Sequence, residues 1–167
     1  MTNRASRIGR VMDHPDLQLR EAAPADVAGL ATIRAREWGS EPYWIDRIGG
    51  YMRGEKNPQQ SLAPRIVLLA TEGEQLVGFI AGHLTERHAC EGELEWLNVI
   101  EERRGGGIAG VLLDALAAWF AKHGAKRICV DAGPANARAR TFYSKHGARE
   151  LSPHWMVWDD IAAHGDR

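Results

Sequence analysis

At 167 residues, 44% of them hydrophobic and 26% charged, the chain has the length and composition of one folded domain rather than of a disordered segment. Its net charge of -1 gives no electrostatic footprint for nucleic acid or an anionic membrane, and no apolar run approaches the roughly 20 residues that span a bilayer. Cys90 and Cys129 are too few and too far apart in sequence for a disulfide framework or a zinc site, so a reducing compartment, most simply the cytoplasm, is expected.

Residues 1–15 carry Arg4, Arg7 and Arg10 without the apolar stretch of a secretory signal. They read as a flexible N-terminal tail, and residues 16–167 as a single domain. Leu17 to Arg20 alternates like a short strand. Ala22 to Asp26 is a turn into a helix, because proline fits a first helical turn and acids suit its positive end. Val27, Leu30, Ile33 and Trp38 fall along one face of that helix, and a second helix is expected over Tyr43 to Met52. Gly54 to Pro64 is rich in turn formers and reads as loop.

A β-hairpin follows, with strands at Arg65 to Thr71 and Gln75 to Thr85, then a strand at Gly92 to Val99. Gly107 to His123 is the clearest helix, with Ile108, Leu112, Leu116, Trp119 and Phe120 on one broad face and Gly124 at the expected cap. Lys126 to Asp131 reads as a buried strand, Asn136 to His146 as a helix closed by Gly147, and Trp155 to Trp158 as a last strand. The order is β-α-α-β-β-β-α-β-α-β, with room for another short strand near Ala148 to Leu151. That pattern is an α/β or α+β sheet with helices on its faces.

The strand, the basic glycine loop Arg103 to Gly110 and the helix come in immediate succession. The first N–H groups of a helix lack internal partners and carry partial positive charge, and glycines let a phosphate approach the backbone. Arg103 and Arg104 add charge for phosphate oxygens. A Walker loop is excluded, because no Gly-Lys-Ser/Thr follows. Gly105, Gly107 and Gly110 do satisfy the dinucleotide fingerprint G-x-G-x-x-G, with Asp131 at about the distance of a ribose-binding acid. Two features count against that reading. Four polar residues, Glu101 to Arg104, separate the strand from the first glycine, and the unit sits late in the chain.

Arg104-Gly105-Gly106-Gly107-Ile108-Ala109 resembles the Q/R-x-x-G-x-G/A motif of the GNAT N-acetyltransferases. Asn136-Ala137-Arg138-Ala139 and Phe142-Tyr143 through Gly147 resemble the same family's downstream signature, and the likeness extends over about residues 17 to 160. Ala148 and Glu101 depart from it, at an aromatic and a proline position respectively. The resemblance implies a central mixed, mostly antiparallel sheet flanked by helices and splayed between the fourth and fifth strands. It implies that Arg103, Arg104, Gly105, Gly106, Gly107, Ile108, Ala109 and Gly110 hold the pyrophosphate of acetyl-CoA. Leu97, Asn98 and Val99 would hold the pantetheine arm and the oxyanion, and Asn136 and Ala139 would also contact the co-substrate.

By the same resemblance, Tyr143 protonates the departing thiolate, and Glu93 is the favoured general base with Glu95 the weaker candidate. Trp44, His83, Trp96 and His154 are candidates to line the acceptor pocket. Each has a purely structural reading as well: Asn136 as a helix cap, Tyr143 and the tryptophans as core, Glu93 as a solvated strand residue. His83, His123 and His146 show no metal-ligand spacing, so no metal is expected. The expected partner is a small-molecule or peptide amine, and the resemblance allows a homodimer. A CoA-binding sensor without catalysis and a nicotinamide-dependent oxidoreductase are the alternatives.

Overall fold

The computed structural model describes residues 14–165, so the expected tail lies outside it except for His14 and Pro15. Strand β1 (Leu17–Glu21) leads through a one-turn 3₁₀ segment at Pro24–Asp26 into helix α1 (Val27–Ala35). Asp26 fixes that corner by accepting from the Ala23 amide at 2.7 Å and from the Arg20 guanidinium at 2.8 Å. Helix α2 (Glu41–Met52) begins where Ser40 Oγ accepts from the Tyr43 amide, with Pro42 in the first turn. Trp38, expected on the buried face of α1, lies beyond the helix end and is 55% exposed.

The hairpin joins β2 (Ser61–Glu72) to β3 (Gln75–Thr85) across a tight turn in which Gly73 takes a φ of +60°. Strand β2 starts at Ser61, four residues earlier than its composition suggests. Its register skips between Leu62 and Arg65, so Pro64 falls where the ladder is already interrupted and its missing N–H costs little. Strand β4 (Gly92–Val99), helix α3 (Ile108–Lys122), β5 (Ile128–Asp131) and helix α4 (Ala137–Lys145) follow. Strands β6 (Arg149–Ser152) and β7 (Trp155–Trp158) end the sheet. No helix among the described residues is long and apolar enough to cross a membrane.

The seven strands run in the order β1-β2-β3-β4-β5-β7-β6. Five of the six neighbouring pairs are antiparallel and β4–β5 alone is parallel. That is not the mostly parallel, doubly wound sheet a dinucleotide fingerprint requires, and the nicotinamide reading falls with it. The β4–β5 pairing extends only from Gly92↔Ile128 to Leu94↔Val130. Beyond Leu94 the two strands part, and Glu95 to Val99 have no partner on the β5 side.

Helices cover both faces. Gly78 and Gly82 of β3 face Leu112, Leu116 and Phe120 of α3, while the next residue, His83, faces Tyr51 of α2. Adjacent strand residues point to opposite faces, so α3 and α2 sandwich the sheet. The fit is close: a Cβ at Gly78 would lie 2.7 Å from the carbonyl oxygen of Asn98 on β4. The C-terminal turn Ile161–Ala163 is tied to α3 by a buried contact of 2.5 Å between His164 Nε2 and Asp114 Oδ1.

Candidate active site

One cleft of about 880 Å³ runs from the glycine loop through the gap between β4 and β5 to a group of aromatic and acidic side chains. Its first end is the start of α3. Gly107 caps that helix with a φ of +90°, a conformation costly for any residue with a Cβ, and brings no side chain of its own to the first-turn amides. The N–H groups at a helix start have no acceptor within the helix and carry partial positive charge, which suits an anion at this end of the cleft. Arg103, Arg104, Gly105, Gly107, Ile108, Ala109 and Gly110 line this end; Gly106, expected with them, is exposed and does not line the cleft.

The two loop arginines already have carboxylate partners. Arg103 pairs with Glu72 at 2.7 Å and Arg104 with Glu37 at 2.7 Å, and Glu37 also holds Arg138 of α4 at 2.9 Å. Arg104 additionally donates Nε to the Val99 carbonyl at 3.1 Å, which fastens the loop to the end of β4. Asn136 caps α4 by accepting from the Ala139 amide at 3.2 Å, and both residues border the cleft. The structural and the ligand-binding readings of Asn136 are therefore compatible.

Leu97, Asn98 and Val99 form the cleft's middle wall on the side that β5 leaves unpaired. Tyr143 of α4 borders the same stretch, packed edge-on against Phe142 and Trp158. Burial pushes its phenol well above the ordinary value, with the Arg34 charge opposing and the Asp131 charge adding. Tyr143 is thus a protonated O–H donor over the whole physiological range.

The far end depends on an irregularity. In β4 the register with β3 runs Glu93↔His83, Leu94↔Gly82 and then Trp96↔Ala81, so Glu95 is the extra residue of a β-bulge. The bulge turns Trp96 onto the face that Glu93 occupies, although the two are three residues apart. Trp96 then packs edge-on with Trp44 and Tyr51 of α2. Glu95 pairs with Arg47 of α2 at 3.5 Å, and Glu93 Oε1 lies 3.8 Å from Arg87. Burial raises both carboxyls; for Glu95 the neighbouring Glu93 charge adds to it and carries the value to about 7. Two buried carboxyls this close titrate as a pair.

Behind Glu93 sits His83, completely buried, with Nδ1 2.9 Å from the Tyr51 hydroxyl and Nε2 3.6 Å from Glu93 Oε1. Burial first, and the nearby arginines second, depress its pKa to about 4, so it is neutral at pH 7. His83, Glu93 and Glu95 offer ligand atoms within 4.8 Å of one another, a juxtaposition of metal-ligand chemistry that sequence spacing does not reveal. Arg47 and Arg87 already supply the countercharge there.

Trp44 and Trp96 line the cleft as expected, joined by Trp38, Tyr43 and Trp155. His83 does not reach its surface. His154 is a correction: it is exposed in the β6–β7 turn beside Gly133 and does not border the cleft. The two cysteines, distant in sequence, meet in the fold. Cys90 and Cys129 interact in a small cluster with Trp155 and Val157, and both are free thiols. The contact with Cys129 lowers the Cys90 thiol, while that same contact and then burial push Cys129 up.

A family model described as the acetyltransferase (GNAT) family matches residues 26–148, which include the glycine loop, both glutamates and Tyr143. The chain belongs to the GNAT acetyltransferase family. No curated protein sequence matches it. Solved GNAT-like structures share the fold at low identity. A crystal structure assigned to the family from Desulfovibrio desulfuricans has a TM-score of 0.71 at 13% identity, covering 87% of this chain and 99% of that one. The PaiA N-acetyltransferase of Thermoplasma acidophilum, solved in complex with coenzyme A, gives 0.62 at 19%, covering 86% and 98%. A spermidine N-acetyltransferase from Vibrio cholerae gives 0.64 at 13%, covering 90% and 97%.

Several residues of this GNAT cleft escape a reading of motifs alone: Arg34, Glu37, Arg47, Arg87 and Arg138. For two of them the sequence does hold a signal. Arg34 stands four residues after the buried Leu30, and Arg47 lies between Trp44 and Tyr51 at helical spacing. Each is a cation on the apolar stripe of its helix, a placement that needs a reason.

Proposed function

We propose that residues 16–167 form one cytoplasmic acyltransferase unit that moves an acetyl group from acetyl-CoA to a primary amine by direct attack in a ternary complex. The carrying observation is the continuity of the cleft, from a glycine-capped helix start, past β4 backbone that β5 does not pair and Tyr143 beside it, to two carboxyls. The relative solved with coenzyme A supports the donor.

In this reading the first amides of α3 hold the pyrophosphate, with Arg103 and Arg104 exchanging their carboxylate partners for phosphate oxygens. Backbone groups of Leu97 to Val99 hold the pantetheine arm, and an amide there stabilises the oxyanion. The amine enters beside Trp44 and Trp96 and gives up a proton through water to the Glu93–Glu95 pair, which must first be ionised. Sequence alone ranks Glu93 first; the greater access of Glu95 to the cleft gives it at least an equal part. The nitrogen bonds to the thioester carbon, the carbonyl electrons move onto oxygen, and collapse breaks the C–S bond. Tyr143 gives its proton to the departing sulfur, the attacking nitrogen sheds its second proton to solvent, and Tyr143 recovers one from there.

Thiol release from acetyl-CoA, followed across a panel of amines, tests this. Release that depends on the amine is expected. Tight CoA binding with no turnover on any acceptor would instead assign a sensor.

A further inference from the structure

Arg34 has no use in the transfer just described, and it is the anomaly of the cleft. Arg47, Arg87, Arg103, Arg104 and Arg138 each face a carboxylate at 2.7 to 3.8 Å. Arg34 faces none among the described residues. Of its five donors, NH1 alone has a partner there, Asn98 Oδ1 at 2.9 Å, and Nε is buried with no acceptor. Its guanidinium is stacked 4.4 Å from the centre of the Trp44 ring and lies within reach of Trp38 at 5.8 Å. Burial works against its charge, and the charges of Glu37 and Glu95, beyond ion-pair distance, offset that only in part. A half-buried, oriented cation with spare donors is costly unless something completes it.

The surroundings define what would. Arg34 borders the cleft in the same stretch as Asn98, Tyr143 and Trp44, and the Glu93–Glu95 pair lies beyond Trp44 and Trp96. The acceptor end therefore offers a carboxyl pair to take the proton of an ammonium, a guanidinium with no carboxylate at ion-pair distance among the described residues, and aromatic faces between.

We propose that Arg34 is the anchor for a carboxylate on the acceptor, so that the amine acetylated by this chain is a zwitterion of the amino-acid type rather than a polyamine or another purely cationic amine. Planar guanidinium and planar carboxylate form two parallel hydrogen bonds, and Arg34 lines the cleft with its guanidinium over the Trp44 ring. That pairing would also fix which way round the acceptor enters, with its nitrogen toward the glutamates.

This inference rests on the acceptor-cleft reading above, and the test separates the two. Thermal unfolding of the CoA-loaded protein is followed with L-amino acids and with their carboxamides; no turnover is needed. Where transfer occurs, the same pairs are compared as acceptors. Stabilisation by the carboxylates, and a kcat/KM at least about tenfold above that of the matching carboxamides, is expected. Arg34→Gln should reduce that ratio to near one through the acceptor KM, with the KM for acetyl-CoA unchanged, and Arg34→Lys should restore part of it. Equal or better binding of the carboxamides overturns the proposal even if acetyl transfer is confirmed. So does an Arg34→Gln variant that weakens acetyl-CoA alone, which would assign Arg34 to the donor arm. Stabilisation by the carboxylates with no transfer to any amine would sink the enzyme reading and leave the anion site standing.

Discussion

The two ends of the cleft are built by different means. The donor end is local and mostly backbone: Leu97 to Gly110 are nearly contiguous, and their N–H groups need only a strand, a turn with glycine at Gly107 and a helix to become an anion cradle. The acceptor end is assembled from side chains on α1, α2, β4 and β7, and it depends on the bulge at Glu95 to bring Glu93 and Trp96 onto one face. Backbone sites tolerate drift in the surrounding sequence, because every residue supplies an N–H. Side-chain sites can be respecified by one substitution. That is a physical reason for a common donor site to coexist with varied acceptors.

If the ends are separable, donor-end variants should move acetyl-CoA affinity, and acceptor-end variants should move turnover and acceptor use. Tyr143 stands between them and gives the largest expected effect. Tyr143→Phe removes only the hydroxyl and should lower kcat about a hundredfold or more with the Kd for acetyl-CoA nearly intact. Unchanged kcat when chemistry limits turnover would assign Tyr143 to packing.

Glu95→Gln comes next, with a loss of about tenfold or more in kcat/KM. In the unaltered chain kcat/KM should rise with pH through about 7, where Glu95 ionises, and the variant should lose that limb. Stability gives a second reading with the sign worked out. Folded Glu95 keeps its proton up to about 7 whereas the unfolded carboxyl loses it near 4.5, so its contribution falls as pH rises between those values. Folded His83 stays neutral down to about 4 against 6.5 unfolded, so its contribution rises with pH over that window. The two slopes oppose. Burial raises Glu93 too, and its opposing slope remains in Glu95→Gln. The variant should shift the balance toward the His83 slope, so that stability rises more, or falls less, from pH 4 to 7 than in the unaltered chain; a thermal unfolding profile parallel to that of the unaltered chain would contradict this account.

At the donor end, Gly107→Ala should cost roughly 1–2 kcal/mol of stability, because the left-handed cap is strained for any residue with a Cβ. It should also weaken CoA about tenfold by calorimetry as the first amides of α3 turn away. The smallest effect is expected from Glu37→Gln. Glu37 occupies Arg104 and Arg138, and its removal should tighten CoA by about two- to fivefold at low salt, in keeping with the modest strength of exposed ion pairs. Looser binding would mean that Glu37 aligns the arginines rather than competing for them.

Legibility follows the same division. The glycine loop, the helix after it, the cap at Asn136 and the tyrosine at Tyr143 were readable because each depends on residues close in sequence. Composition puts Pro64 in a loop, but a register skip accommodates it and β2 begins at Ser61. Helix periodicity puts Trp38 on a buried face because it does not mark where α1 stops. His154 neighbours Trp155 in sequence, but the turn between β6 and β7 directs it away from the cleft.

By itself the sequence determined the order of elements, the family resemblance and the glycine loop at the start of α3, since propensity, glycine placement and apolar periodicity act over a few residues at a time. Only the tertiary structure decided that β4 and β5 part after Leu94, that Glu95 bulges, and that Glu37 bridges two arginines. It alone brought His83 behind Glu93 and left Arg34 without a carboxylate at ion-pair distance among the described residues. Those features arise from contacts between residues tens of positions apart, where the packing of neighbouring elements, rather than local preference, sets the energy of each side chain.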